Sequence, residues 1–174
     1  TQCLRMVNDG KKMELGRRAA VIGGNNIAME VARSLIRLGV DDVTIIYPRA
    51  KIEMPANQRN IREAENEGVK FLLMASPIEI CGPSSSDSRL RLDLIRMKLG
   101  EPDSRGRREA VPIPGSKNTL YVDTIVSSLG QTTVRDQLHG GEIEEQIELS
   151  PRGAIVANPR SSQTNIEGVF AGGD

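Results

Sequence analysis

Tryptophan is absent from this 174-residue sequence, and aromatic residues make up only 2% of it. With hydrophobic residues at 38%, any core must be aliphatic, built from Val, Ile, Leu, Met and Ala. No apolar run approaches the ~20 residues that cross a bilayer, and the N-terminal segment lacks a secretory-signal pattern. The expectation is a cytoplasmic chain with no membrane contact. A dominant charge is missing too. The 23 Lys plus Arg balance 23 Asp plus Glu, so no global field favours nucleic acid. Cys3 and Cys81 stand far apart and form no C-x-x-C pair, which argues against a redox dithiol, an iron–sulfur cluster or a zinc site within the chain. They read as reduced structural thiols. The single histidine, His139, lies beside Gly140-Gly141 in polar sequence and reads as a loop residue rather than a base.

What is present is a strand–helix–strand pattern. The length suits one domain. Residues 1–16 are polar after a short start and read as a connector. Ala19–Ile22 form an apolar run closed by Gly23-Gly24, as in a buried parallel strand that ends in a glycine turn. From Asn26 to Leu38 the apolar residues Ile27, Val31, Leu35 and Leu38 recur at helical spacing, with Gly39 as the stop. Val43–Tyr47 is a second strand, completing a βαβ unit. Residues 48–56 read as irregular, 57–67 as a solvated helix ending at Gly68, and 69–74 as a third strand. Residues 77–81 and 89–99 read as paired antiparallel strands, followed by an exposed turn near 101–108 and a strand near Ala110–Ile113. Residues 122–130 read as one more buried strand, ending in a glycine turn at Gly130. The predicted class is α/β, a Rossmann-like parallel sheet with an inserted antiparallel meander.

The chemistry concentrates at the glycine turn Gly23-Gly24-Asn25-Asn26-Ile27-Ala28. A glycine turn opening a helix lets the backbone approach a diphosphate closely, presents free N–H groups and adds the partial positive charge of the helix N-terminus. On the dinucleotide fingerprint Gly23 takes the tight-turn position and Ala28 the helix-packing position. Asn25 falls where the middle glycine belongs. Asparagine tolerates positive φ better than other non-glycine residues, so the fold is expected to survive with a more crowded cradle. About 20 residues further on, an NAD- or FAD-binding chain places an acid for the ribose hydroxyls. This chain has Tyr47 there, then Pro48-Arg49-Ala50-Lys51. Arg49 and Lys51 would meet a 2′-phosphate, so the sign favours NADPH over NADH. The plain alternative is a solvated basic loop.

The segment Arg18–Arg33 (RAAVIGGNNIAMEVAR) resembles the second dinucleotide motif of the glutamate synthase small (β) subunit family, NADPH-dependent flavoprotein oxidoreductases with two dinucleotide-binding domains. Tyr47–Ala56 (YPRAKIEMPA) resembles that family's basic loop, and Gly100–Arg108 (GEPDSRGRR) its arginine-rich hairpin. Asp123–Gln131 (DTIVSSLGQ) is similar to the strand that leads back to the flavin domain. Thr164–Asp174 (TNIEGVFAGGD) resembles the flavin motif whose last Asp holds the FAD ribityl chain. The resemblance covers almost the whole chain in order. It implies a connector over 1–16, an NADPH-binding domain over 17–130, and a return segment over 131–174 that is cut short. It also implies hydride delivery to FAD, with FAD held only in the full-length parent. Two departures stand out: Asn25 where the family has glycine, and Pro48 where it has the first arginine of a pair.

The residues assigned to the cofactor are therefore Gly23, Gly24, Asn25, Asn26, Ile27, Ala28, Arg49, Lys51 and Gly130, with Asp174 reserved for FAD in the parent. No residue is assigned a catalytic or metal-binding role. The implied partners are the FAD domain of the same parent chain and an iron–sulfur or glutamate synthase large-subunit-like protein. Alone, the chain is expected to catalyse nothing. The rival reading keeps the fold but makes it a structural or subunit-docking module, with Asn25 and Pro48 as marks of a degenerate site. A methyltransferase-like or NAD-type Rossmann domain fails on the missing acid near Tyr47.

Overall fold

The computed structural model describes residues 14–84, 87–102, 108–130, 147–150 and 153–172. Chain contacts divide it into two units, Thr1–Leu129 and Gly130–Asp174. In the first unit β1 (Arg18–Ile22), α1 (Asn26–Arg37) and β2 (Asp42–Tyr47) form the expected βαβ unit. A single 3-10 turn (Lys51–Glu53) interrupts the loop before α2 (Gln58–Asn66) and β3 (Lys70–Leu73). Then come β4 (Ala75–Cys81), β5 (Leu90–Pro102), β6 (Arg108–Val122) and β7 (Thr124–Ser127). The first sheet is wholly parallel in the order β3-β2-β1-β7, and the second is antiparallel in the order β4-β5-β6.

The alternation of the parallel strands explains the layering. Side chains of successive strand residues point to opposite faces. Ala19, Val21, Val43 and Ile45 pack with Met29, Val31 and Leu35 of α1 and Ile61 of α2. Ala20 and Ile46 instead pack with Ala75, Leu92, Leu94 and Val122 of the antiparallel sheet. The result is helices on one face of the parallel sheet and the meander on the other, with an aliphatic core throughout.

Three details depart from the sequence expectation. Ile27 and Leu38 are 40% and 50% exposed, because the buried stripe of α1 is centred on Ala28, Met29, Val31, Ala32 and Leu35. The strand expected near Ala110–Ile113 lies within a longer β6, whose pairing with β5 breaks off after Pro112 and resumes at Lys117, leaving Pro114, Gly115 and Ser116 in the register shift. The strand expected over 122–130 is two pieces: β6 ends at Val122, and β7 begins after Asp123. The Asp123 carboxylate accepts from the amides of Arg17 (2.7 Å) and Arg18 (2.8 Å), fixing the start of β1 beside that of β7.

The second unit carries two isolated antiparallel bridges, Leu149 with Ile155 and Gln163 with Phe170. Among the described residues no helix is long and apolar enough to cross a membrane.

Candidate functional site: the crevice between β1 and β7

Strand order reverses between β1 and β7. The chain runs outward from β1 to β2 and β3, then returns to the other side of β1. Open α/β sheets bind ligands outside the carboxyl ends of their strands at such a reversal. A cavity of about 360 Å³ lies there, lined by Gly23, Gly24 and Asn25 after β1, Tyr47 at the end of β2 with Pro48 after it, and Ser128 and Leu129 after β7.

Glycine is required at two points. A Cβ on Gly24 would stand 2.6 Å from the Tyr47 ring, and one on Gly23 would stand 2.4 Å from the Ser128 carbonyl oxygen. Gly23 also adopts φ +140°, which side chains rarely tolerate. Its amide donates to the Ile46 carbonyl (3.1 Å), tying the turn to β2.

Asn25 behaves differently from expectation. Its φ is −90° and ψ 176°, an ordinary extended conformation, so tolerance of positive φ is not what admits it. It is the N-cap of α1. Its Oδ1 accepts from the Ala28 amide (2.8 Å) and from Ser128 Oγ (3.1 Å), and its Nδ2 donates to the Ser128 carbonyl (3.1 Å). The side chain bridges the turn after β1 and the residue after β7, at the wall of the cavity. The amides of Asn26 and Ile27 meet no acceptor among the described residues, as is usual for a helix first turn. Asn26 uses its side chain instead to accept from the Asn57 amide (2.7 Å) and Asn60 Nδ2 (3.1 Å), bringing the start of α2 against the start of α1.

Tyr47 forms the β2 wall. Its hydroxyl donates to the Glu53 carbonyl (2.9 Å), and burial raises its pKa, opposed by the nearby Arg49 charge. The two cations of the basic loop are not equivalent. Lys51 pairs with Glu65 of α2 and sits 5.4 Å over the Phe71 ring. Arg49 forms no ion pair among the described residues. Neither lines the cavity itself; Pro48 does.

Gly130 follows the cavity wall directly in sequence, with φ +107° and open space where a Cβ would stand. It opens the second unit. Asp174, Cys3, His139 and the centre of the arginine-rich hairpin (103–107) lie outside the described residues. Cys81 is a half-buried free thiol whose sulfur accepts from Arg91 (3.0 Å), and no metal-binding cluster exists among the described residues. Sequence reasoning missed Ser128. Its only signal was a pair of serines closing an otherwise apolar strand.

The pyridine nucleotide-disulphide oxidoreductase family matches residues 1–174, and the chain belongs to that family. It is 40% identical over 159 residues to the NADP(+)-dependent formate dehydrogenase subunit beta of Moorella thermoacetica, covering 91% of this chain and 22% of that protein. It is 32% identical to the glutamate synthase [NADPH] small chain of Escherichia coli K12, covering 91% of this chain and 34% of that one. The chain thus spans 22% and 34% of these curated relatives' length. Its fold is also that of an FAD-dependent pyridine nucleotide-disulphide oxidoreductase from Desulfovibrio vulgaris, with TM-score 0.63, 20% identity, and coverage of 98% of this chain and 37% of that one.

Proposed function

We propose that this chain is the NADPH-binding domain of a flavin-dependent oxidoreductase, presenting the reduced nicotinamide to FAD for onward electron transfer, as in a glutamate synthase small chain. The observation that carries this reading is the crevice between β1 and β7. It joins a glycine turn at a helix N-terminus to a β2 end with no acid, Tyr47-Pro48, and the next residue, Arg49, has no ion pair among the described residues. Relatives named for NADPH or NADP(+) support the same cofactor.

The residues present fit a dinucleotide. Gly23 and Gly24 have no room for side chains, so the backbone can lie close against a ligand. The open amides of Asn26 and Ile27 can donate to a diphosphate, strengthened by the α1 dipole. Arg49, which has no ion pair among the described residues, is the first cation placed to meet a 2′-phosphate, and Lys51 can do so only by leaving Glu65. Tyr47 and Pro48 form one side of the cavity. When bound, the reduced nicotinamide supplies a hydride, and the protein's part is orientation rather than proton transfer. No acid or base is needed for that role.

On this reading residues 17–130 hold NADPH, residues 131–174 lead back toward a flavin domain where Asp174 would meet FAD, and Gly130 lets the chain leave β7 close to the dinucleotide. The final acceptor lies with a partner such as an iron–sulfur protein or a glutamate synthase large-subunit-like chain. One observation favours the rival docking-module reading: Asn25 already satisfies the helix amide of Ala28. Calorimetric titration with NADPH separates the two. Saturable binding supports the cofactor role, and no saturation up to about millimolar, the weak end of useful affinity, overturns it.

A further inference from the structure

We propose that Asn25 sets the affinity of the crevice by acting as an internal surrogate for a phosphate oxygen, capping α1 where a bound diphosphate would. This rests on the dinucleotide-binding reading above and deepens it.

The Asn25 backbone is unstrained, so its side-chain placement is set by its partners. Both acceptor directions of Oδ1 are filled, by the Ala28 amide and the Ser128 hydroxyl, while Nδ2 holds the Ser128 carbonyl. Ser128 is itself fixed. It is buried at 3% exposure, its amide donates to the Ile22 carbonyl (2.8 Å), and its carbonyl lies where a Gly23 Cβ would be. The carboxamide is therefore anchored on β7 and presented to the first turn of α1, across the strand reversal. With glycine at this position the Ala28 amide would be open to the crevice. A phosphate oxygen seeking that amide must displace Oδ1, which Ser128 resists. The amides of Asn26 and Ile27 stay available, so the site is weakened rather than closed.

Three variants and two probes test this. NADPH and inorganic pyrophosphate are titrated by calorimetry, and the Ala28 amide is followed by nitrogen-edited NMR. Asn25→Gly should tighten both ligands about tenfold, the equivalent of one hydrogen bond no longer displaced, and pyrophosphate should then shift the Ala28 amide. Ser128→Ala, which keeps the cap but loosens its anchor, should tighten both by a smaller factor. Asn25→Asp caps a helix as well as Asn does, but it places negative charge at the surrogate position. It loses the donor to the Ser128 carbonyl and should weaken pyrophosphate binding by repulsion; the outcome a purely structural cap would not produce is the tightening of both ligands, with the Ala28 amide shift, in Asn25→Gly.

Unchanged or weaker binding in folded Asn25→Gly overturns the proposal. If that variant does not fold, unchanged or weaker pyrophosphate binding in Ser128→Ala overturns it instead. If wild-type protein saturates with NADPH and Asn25→Gly gains nothing, the surrogate role fails and the cofactor reading stands. If pyrophosphate follows the expected order while NADPH binds none of the proteins, the cofactor reading fails and the surrogate role stands.

Discussion

Arg49 and Lys51 are both cations two positions apart, yet their surroundings give them different work. Lys51 is neutralised by Glu65 and rests over Phe71, so any gain from a phosphate is offset by the pair it gives up. Arg49 has no such cost. Arg49→Ala should therefore remove most of any preference for NADPH over NADH, about 1.5–3 kcal/mol for a charge-assisted hydrogen bond, whereas Lys51→Ala should change it much less; affinities for the two dinucleotides check both. The sequence showed the two cations but not this inequality, because Glu65 sits on another element and its pairing depends on how α2 packs. Gly24 is the other residue with a sharp consequence. A methyl group there meets the Tyr47 ring at 2.6 Å, so Gly24→Ala should cost about 1–3 kcal/mol of stability through overpacking and narrow the crevice, read as a lower Tm together with weaker dinucleotide binding. Asn25 was legible in part. An Asn immediately before an apolar-periodic helix is an N-cap signal, but aligning it with a fingerprint glycine hid the capping role.

At the scale of elements, the N-termini of α1 and α2 converge through Asn26, and their flanks are tied by a charged network. Arg33 reaches Glu63 and Glu67 at 2.7 Å each, and Arg37 also reaches Glu67 at 2.7 Å. Arg59 pairs with Glu63 along α2 at 2.8 Å, with its side chain 80% exposed. Exposed pairs contribute little, whereas Arg33 is only 20% exposed and serves two carboxylates. Arg33→Ala should thus destabilise by about 1 kcal/mol, and Arg59→Ala by a few tenths at most, measured as shifts in urea midpoint. The βαβ unit and both helices were legible, because apolar periodicity and the glycine stops act locally. β6 was legible only near Ala110–Ile113. Its resumption at Lys117, beyond Pro114 and Gly115, depends on pairing with β5, and such pairing is a long-range fact. The boundary at Asp123 was also hidden, since the carboxylate's role is to receive two amides from β1, far away in sequence.

For the molecule as a whole, the meander contributes a buried carboxylate with a clear pH signature. Asp93 is 2% exposed and held by Lys117 Nζ and Thr119 Oγ1 at 2.8 Å each. The Lys117 bond, then the Thr119 bond, lower its pKa against the opposing effect of burial, with the Arg91 and Lys117 charges adding to the lowering. A lowered folded-state pKa gives stability that is complete above the unfolded value, about 3.9 for Asp, and is lost as pH falls through the folded value. Glu63, by Arg59 first, and Glu67, by Arg37 first, are also lowered. The Asp93 share is therefore read as a difference: Asp93→Asn should be less stable than wild type at neutral pH, and the gap should shrink as the pH drops below about 4.

The central claim, that the β1–β7 crevice is built for NADPH, is tested most directly by calorimetric titration of the protein with NADPH and NADH side by side. Saturable NADPH binding, tighter than NADH by about tenfold or more for one charge-assisted contact and levelled by Arg49→Ala, is the expected result. Equal affinities for the two dinucleotides, or no saturation with NADPH up to about millimolar, would contradict it.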